Sequence, residues 1–347
     1  MALSPELTKQ ILDAVDAGFE DQIAFTQDLT RYPSLRGQEH TAQDFLHREL
    51  QNRGYTMDRW TIDVKDIEHH PGFSPVDVDY SNAINVVGTL RPKTEKGKSL
   101  VLNGHVDVVP TGPEDMWTTP PFEPRRDGDW LYGRGVADMK AGIAANIFAV
   151  DALKSLGYRP AATLYQQSVV EEECTGNGAL AALLRGYNAD AAIIPEPEDD
   201  KLVRANTGVL WFKVRVQGAP VHVREAGSGA NAIEAAQSNA FLANNPPELT
   251  FNGFFAEGYV LEEGSEAETT LGRAHLASYD RPLESFVTPG YLDGRVFVIY
   301  GETPCLVYGP LSESIHGFDE RVSLSSVRRV TGAIALFIAD WCGLEEI

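Results

Sequence analysis

The sequence predicts an α/β protein, in which the strands of a sheet alternate with helices along the chain. Short apolar runs typical of buried strands alternate with segments of helical periodicity. Acidic or histidine residues follow several of these runs directly, as in sheets whose functional site lies beyond the carboxyl ends of the strands. Hydrophobic residues make up 43% of the 347 residues, which is enough for a substantial core.

Helices are predicted at both ends of the chain and between the strands. Residues 5–29 carry apolar side chains at helical spacing, and a second amphipathic segment follows at 41–53. The same periodicity predicts helices at 141–156, 179–184, 266–276 and 323–342. Apolar runs predict strands at 55–64, 85–90, 99–103, 162–170, 189–194 and 296–300.

The pattern changes after residue 206. A strand with alternating polarity at 209–217, a helix at 230–241 and a strand at 248–255 predict a small inserted α+β domain over residues 207–258. The catalytic domain is therefore expected in two parts, 1–206 and 259–347.

Charge and cysteine content exclude several classes of protein. The net charge of −21 disfavours nucleic acid and anionic membranes as partners. The sequence contains no run of about 18 apolar residues, so we expect no membrane span. Cys174, Cys305 and Cys342 are widely spaced and form no CxxC pair, which favours reduced thiols over a disulfide framework. We therefore expect a soluble cytoplasmic protein.

Five separated positions predict a metal site: His105, Asp138, one acid of the run Glu171-Glu172-Glu173, Glu196 and His316. Most of them follow predicted strands or lie in strand-end loops. Two imidazoles and three carboxylates are what a pair of Zn²⁺-like ions requires, with one carboxylate shared. Each position also has a structural explanation when taken alone. His105 could be a core histidine, Asp138 could cap the helix that follows, and Glu196 and His316 could be ordinary loop residues.

The acidic run Glu171-Glu172-Glu173 follows a predicted strand. Three adjacent acids repel one another unless a cation is present, although such a run is often a solvated turn. One acid of the run could bind metal while its neighbour acts as a general base. Asp107, two residues after His105, could reach toward that imidazole, as carboxylates do beside metal-binding histidines.

The segments around these positions resemble the acetylornithine deacetylase / succinyl-diaminopimelate desuccinylase family, which includes carboxypeptidase G-like enzymes, aminoacylases and dipeptidases. The resemblance extends over nearly the whole chain. Its motifs are Gly104-His105-Val106-Asp107, residues 133–142 (Gly-Arg-Gly-Val-Ala-Asp-Met-Lys-Ala-Gly), Glu171-Glu172-Glu173, Pro195-Glu196-Pro197 and His316-Gly317-Phe318-Asp319-Glu320.

The resemblance implies a phosphorylase/hydrolase-like α/β/α catalytic domain with a mixed sheet, plus a small α+β lid that carries the dimer contact. It implies two divalent ions per chain, with Zn²⁺ favoured and Co²⁺ or Mn²⁺ as alternatives. His105 and Glu196 would bind one ion, Glu173 and His316 the other, and Asp138 would bridge them. Asp107 would orient His105, and Glu172 would be the general base. His222 matches a family histidine that reaches across the dimer to the oxyanion of the substrate.

The predicted lid is shorter than the resemblance implies. Four strands and two helices require roughly 70 residues, whereas the range 209–258 supplies 50. We therefore expect the middle of the lid to be missing near residues 237–239. The family residues that bind a substrate carboxylate have no identifiable counterpart here, and a real deletion would affect dimerisation and turnover.

The predicted activity is that of a zinc-dependent amidohydrolase, which removes an acyl group from an N-acyl amino acid with metal-activated water. Two alternatives remain open at this point. The first is a metallo-carboxypeptidase or dipeptidase on the same scaffold. The second is a catalytically impaired metal-binding protein, if the lid deletion is real.

Overall fold

The computed structural model describes residues 3–236, 239–244 and 246–347. The helices in these ranges are α1 (Pro5–Thr30), α2 (His40–Asn52), α3 (Val64–Ile67), α4 (Ala141–Ser155), α5 (Asn177–Leu184), α6 (Ala232–Ala235), α7 (Asn239–Asn244), α8 (Glu266–Tyr279) and α9 (Leu324–Trp341). The strands are β1 (Thr56–Thr61), β2 (Ile84–Leu90), β3 (Leu100–Leu102), β4 (Arg125–Asp127), β5 (Trp130–Tyr132), β6 (Tyr158–Pro160), β7 (Leu164–Ser168), β8 (Ala192–Ile194), β9 (Leu202–Asn206), β10 (Val209–Arg215), β11 (Glu248–Ala256), β12 (Tyr259–Val260), β13 (Ser285–Thr288), β14 (Cys305–Val307), β15 (Ser312–Glu313), β16 (Arg321–Ser323) and β17 (Leu344–Glu346).

A six-stranded mixed sheet forms the centre of the molecule, with the order β1-β2-β7-β3-β8-β14. The strands β7, β3, β8 and β14 are parallel, whereas β1 and β2 pair in antiparallel fashion at one edge. Strands β3 and β8 are fully buried, as expected of parallel strands covered on both faces. The mixed α/β fold predicted from the sequence is confirmed.

Helices α1, α4, α8 and α9 pack against one another. Small side chains allow this close packing. At Gly332 in α9, an added Cβ atom would lie 2.8 Å from a methyl carbon of Leu12 in α1, so the Leu12 side chain would have to move to make room for a larger residue.

A second sheet, with the order β15-β16-β5-β4, lies at the edge of the functional site. Strand β5 ends just before the glycine-rich segment that leads to Asp138, and β16 begins just after the segment that contains His316. Because β5 and β16 pair directly, this sheet brings together two loops that are far apart in the sequence.

The segment 207–258 leaves and re-enters the fold at neighbouring strands, since Asn206 of β9 pairs with Tyr259 of β12. This placement is what an insertion requires, and the exact domain boundaries stay a prediction. Within the segment, β10 and β11 form a two-stranded antiparallel sheet. Gln237 and Ser238, where the shortened middle of the lid was predicted, lie outside the described residues.

The strand predicted at 296–300 is wrong, because the segment forms a helical turn. The β-branched and aromatic composition suggested a strand, but the adjacent residues Val296 and Phe297 are both fully buried, which an alternating strand facing solvent would not allow. The N–H group of Gly301 donates to the carbonyl oxygen of Val296 at 3.1 Å and closes the turn. The sheet strand in this region is β14, which the apolar pattern did not reveal.

Two further expectations concern membrane spans and cysteines. None of the helices in the described ranges combines the length and apolar character needed to cross a membrane. All three cysteines are free thiols, as predicted, and Cys305 and Cys342 are buried.

Candidate metal centre

Three neighbouring parallel strands deliver most of the predicted site residues. The strands β7, β3 and β8 lie side by side, so their carboxyl ends meet at one edge of the sheet. His105 follows β3, the acidic run follows β7, and Glu196 follows β8. The start of α4 packs closely against the loop after β8. A Cβ atom at Gly142 would lie 2.2 Å from the carbonyl oxygen of Pro195, so only glycine fits there.

A buried ion pair positions the remaining two residues, Asp138 and His316. Arg134 donates to Glu320 at 2.5 Å, and both side chains are almost fully buried. Glu320 also accepts the backbone N–H group of Asp138 at 3.2 Å. Arg134 in turn donates to the carbonyl oxygen of His316 at 3.3 Å. The pair therefore connects the backbones that carry both site residues.

The five predicted metal-binding residues converge. Nε2 of His105 lies 3.0 Å from Oδ1 of Asp138 and 3.6 Å from Oε1 of Glu196. Nε2 of His316 lies 3.2 Å from Oδ2 of Asp138 and 3.1 Å from Oε2 of Glu173. Each oxygen of Asp138 thus faces a different imidazole. The carboxylate does not cap the following helix, whose first turn has no side-chain cap.

The two predicted catalytic acids lie at opposite edges of the His105 ring. Glu172 is buried, and its Oε2 atom lies 3.9 Å from Nε2 of His105. On the opposite edge of the ring, Nδ1 lies 2.9 Å from the carbonyl oxygen of Asp107 and 3.5 Å from its carboxylate. The Asp107 carboxylate also accepts the N–H groups of Glu172 at 3.4 Å and Glu173 at 3.1 Å. One aspartate therefore orients both the imidazole and the acidic turn.

Glu171, the first acid of the run, has a different role from its neighbours. Arg36 holds its carboxylate with two hydrogen bonds of 2.6 and 2.7 Å, and the Tyr80 hydroxyl donates at 2.6 Å. Its backbone has a φ angle of +69°, which turns the chain sharply after β7. Glu171 therefore anchors the turn, while Glu172 and Glu173 face the site.

Crowding of acids shifts the titration of the site. Burial raises the pKa of Glu172 well above its ordinary range, that of Glu173 to about 7 and that of Glu196 to about 8. Hydrogen bonds to two carboxylates raise the pKa of His316 to about 10. Burial alone would lower the pKa of His105, but the surrounding carboxylates outweigh it and hold the pKa well above 6.5. Protonation relieves the repulsion between these crowded carboxylates. Metal ions compete with protons for such ligands.

The donor set fits divalent cations. His105, Asp138 and Glu173 each offer one ligand atom, and these atoms lie within 4.8 Å of one another. Oε1 of Glu196 is buried and accepts no hydrogen bond from the described residues. A buried carboxylate oxygen without a donor is unfavourable unless a cation is its partner. Imidazole and carboxylate ligands suit Zn²⁺ and related ions.

The structure does not bring His222 to this cluster. The side chain is exposed, and its Nδ1 atom accepts the N–H group of Arg224 at 3.1 Å. His222 does not occur among the described residues that line the site cavity.

A cavity of about 360 Å³ opens beside the cluster, and several of its lining residues were not predicted from the sequence. Glu198 lies two residues after Glu196, and burial raises its pKa to about 8. Trp211 and Phe254 come from β10 and β11, and Tyr291 comes from the loop after β13. The acidic spacing could have indicated Glu198, whereas the aromatic residues come from distant segments. A larger cavity of about 620 Å³ lies between α1, α2 and α4, but it contains none of the predicted site residues.

Replacement of Glu320 by Gln is expected to destabilise the metal-free protein by about 3–5 kcal/mol, because Arg134 would be left as a buried charge without its partner. Urea unfolding followed by circular dichroism measures this change. Glu313→Gln is the matched control, since Glu313 pairs with Arg321 at the surface and is expected to change stability by less than about 1 kcal/mol. Equal effects of the two substitutions would contradict the proposed importance of the buried pair.

Sequence comparisons identify the family. Residues 101–340 match the model of peptidase family M20/M25/M40. N-formyl-4-amino-5-aminomethyl-2-methylpyrimidine deformylase of Halalkalibacterium halodurans is 32% identical, over 97% of this chain and 98% of the relative. That alignment spans 438 positions, more than the 347 residues of this chain, so the relative has residues without a counterpart here. Succinyl-diaminopimelate desuccinylase of Dechloromonas aromatica is 36% identical over 50% of this chain and 48% of the relative.

Solved structures share the fold. The dipeptidase Dug1p of Saccharomyces cerevisiae aligns over 96% of this chain and 98% of its own with a TM-score of 0.77 at 14% identity. YXEP of Bacillus subtilis, described as a dinuclear metal binding peptidase from the M20 family, aligns over 94% of this chain and 99% of its own with a TM-score of 0.54 at 15% identity. Together with the family match, these findings confirm the resemblance inferred from the motifs, and the chain is a hydrolase of amide bonds that belongs to peptidase family M20/M25/M40.

Proposed function

We propose that the protein is a deacylase, which removes an acyl group from the nitrogen of a small amide with the help of two divalent ions. The observation that carries this proposal is the position of Asp138 between two imidazoles, with the buried Glu172 beside the same cluster. A carboxylate that presents one oxygen to each side is suited to bridge two ions.

The residues would divide between the ions according to their distances. His105 and Glu196 would hold one ion, and His316 and Glu173 the other. Zn²⁺ is the favoured ion, and Co²⁺ or Mn²⁺ accept similar ligands. When bound, the ions supply positive charge that lowers the pKa of water and polarises the carbonyl oxygen of the substrate.

Glu172 would transfer the proton. Its carboxylate would take a proton from the attacking water and pass it to the amide nitrogen as the carbon–nitrogen bond breaks, which yields a carboxylic acid and a free amine. Glu172 is buried, and its Oε2 atom lies 3.9 Å from Nε2 of His105, so the group is close enough to the cluster to carry that proton between the two steps. Asp107 would keep the acidic turn in place through the two backbone N–H groups that it accepts.

The substrate is the finer part of the proposal. The resemblance predicted an N-acyl amino acid, with carboxypeptidase or dipeptidase activity as alternatives. The relative that aligns over nearly the whole chain is named a deformylase, which supports deacylation over peptide cleavage. A catalytically impaired protein is disfavoured, because the five metal-binding residues and Glu172 are all present and close together.

Assembly and location also belong to the proposal. A homodimer formed through the segment 207–258 and a cytoplasmic location stay predictions from the sequence. Several apolar side chains of β10 and β11 are exposed, including Leu210, Phe212 and Val214. Exposed apolar patches of this kind are typical of interaction surfaces, which supports the predicted dimer.

Removal of the metals is expected to abolish hydrolysis. Protein stripped by a chelator should lose activity, and addition of Zn²⁺, Co²⁺ or Mn²⁺ should restore it at two ions per chain, since both halves of the site are required. Elemental analysis and initial rates on a panel of N-acyl amino acids, formamides and dipeptides measure this result. Full activity with one ion per chain would contradict the two-metal site, and preferential cleavage of dipeptides would favour the peptidase alternative.

A further inference from the structure

The cavity beside the metal cluster has two contrasting walls. One wall carries the aromatic rings of Trp211, Phe254 and Tyr291. The Phe254 ring stacks on Tyr291 with a centroid distance of 4.3 Å, and Trp211 meets the edge of Phe254 at 4.9 Å. A hydrogen bond of 2.9 Å from the Tyr291 hydroxyl to Asp293 fixes this ring. The three rings, which we call the aromatic wall, hold one another in place and line one side of the cavity.

The other wall carries negative charge. Five carboxyl groups line the cavity: Asp138, Glu172, Glu173, Glu196 and Glu198. Two divalent ions would neutralise at most four of these charges. No lysine or arginine lines the cavity in the part of the chain that the structure describes, and the five residues outside it include neither type. Apart from His316, the described residues that line the cavity offer no cationic side chain that could pair with a substrate carboxylate.

Glu198 is the acid that the proposed reaction does not use. Among the described residues, no side chain or N–H group donates to its carboxylate, and it has no ion pair. The turn that carries it is fixed, since the N–H group of Lys201 donates to the carbonyl oxygen of Glu198 at 3.0 Å. A partly buried acceptor without a partner, held on a fixed turn beside the aromatic wall, is suited to accept hydrogen bonds from a ligand.

We infer that the amine part of the substrate is a flat, basic aromatic ring without a carboxylate, which lies against the aromatic wall and donates hydrogen bonds to Glu198. This inference rests on the proposed deacylase function and narrows it, because an N-acyl amino acid would bring a further negative charge into an acidic cavity. A ring with a protonated nitrogen or an amino group gains both ring stacking and a hydrogen-bond acceptor in Glu198. The substrate in the name of the Halalkalibacterium relative, an aminopyrimidine, has these features.

Three substrates with the same formyl group test the inference on metal-loaded protein. They are the N-formyl aminomethyl-aminopyrimidine, N-formylbenzylamine, which keeps a flat ring without basic nitrogens, and an N-formyl amino acid. We expect kcat/KM for the pyrimidine to exceed that for the amino acid by at least about 100-fold, because a site built for hydrogen bonds discriminates strongly. Preference for the N-formyl amino acid would overturn the inference and leave the deacylase function intact.

Glu198→Gln tests the hydrogen bond to Glu198, because the substitution keeps the shape of the cavity nearly unchanged. We expect the variant to raise KM for the pyrimidine by about 10- to 100-fold, in line with the loss of one charged hydrogen bond, while kinetics on N-formylbenzylamine stay within about twofold. Asp199→Asn is the matched control, because Asp199 is the adjacent acid and is exposed. An equal effect on both substrates, or no effect on either, would overturn the role of Glu198.

Binding of the free amine distinguishes failure of the inference from failure of the function. Calorimetry with the aminomethyl-aminopyrimidine product is expected to show binding to the wild type and at least about tenfold weaker binding to Glu198→Gln. Binding without hydrolysis of any formamide would refute the deacylase function and leave the ligand class standing. Absence of both binding and hydrolysis would refute both.

Discussion

Replacement of Glu172 by Gln is expected to lower kcat by about 10²- to 10⁴-fold, the usual contribution of a positioned general base. Gln has nearly the same shape but cannot take a proton from water. The assigned metal ligands are unchanged, so the variant should still bind two ions per chain. Rates with a formamide substrate and elemental analysis on the same preparation measure the two effects separately.

The Tm of the Glu172→Gln variant shows whether a lower kcat comes from the missing base or from misfolding. The raised pKa of Glu172 means that the folded, metal-free protein disfavours the ionised carboxylate. A neutral Gln removes that repulsion, so Tm of the metal-free variant should be equal to or higher than that of the wild type at neutral pH. Glu284→Gln, at an exposed position, serves as the control and should leave kcat unchanged. Activity of Glu172→Gln near the wild-type value would show that another group is the base.

Asp138→Asn is expected to have the second large effect, which is weaker binding of the two metal ions. Asp138 presents one oxygen to the side of His105 and the other to the side of His316. An amide has one oxygen and no charge, so it cannot bridge two ions. Loss of a group that only supports a ligand typically lowers metal affinity by about 10- to 100-fold, and loss of the bridge should lower it further. We expect fewer than two ions per chain and activity below about 1% of the wild type.

Metal titration by calorimetry, together with elemental analysis after gel filtration, measures this loss. Asp199→Asn again provides a control with the same chemical change at an exposed site, and it should keep two ions and full activity. Retention of two tightly bound ions by Asp138→Asn would contradict the bridging role. Loss of activity with both ions still bound would assign Asp138 a role in the reaction instead.

The sequence revealed most of the proposed metal-binding residues because they lie in short motifs at the ends of strands. The apolar runs before His105, Glu173 and Glu196 are local signals, and parallel strands necessarily place their carboxyl ends at one edge. The resemblance implied the roles of Glu173 and Glu172, whereas tertiary structure was needed to find the role of Glu171. Glu171 turns away toward Arg36 because the backbone at this residue adopts a positive φ angle. The amino-acid composition of the acidic run does not predict the direction in which the Glu171 side chain points.

Errors and omissions arose where contacts between distant segments override local preference. The run Val296–Tyr300 has the composition of a strand, but it folds as a helical turn in which Val296 and Phe297 are buried. The pair Arg134 and Glu320 lies within the recognised motifs, yet its function as a connection between two loops depends on the pairing of β5 with β16.

The sequence by itself determined the α/β class and the identity of the residues at the metal cluster, because periodicity and short motifs depend only on near neighbours in the chain. The tertiary structure decided the distances between these side chains and which other residues line the cavity beside them. Trp211, Phe254, Tyr291 and Glu198 come from four separate segments. Only folding brings them to one cavity, because their proximity follows from the packing of β10, β11 and the loop after β13 beside the end of β8.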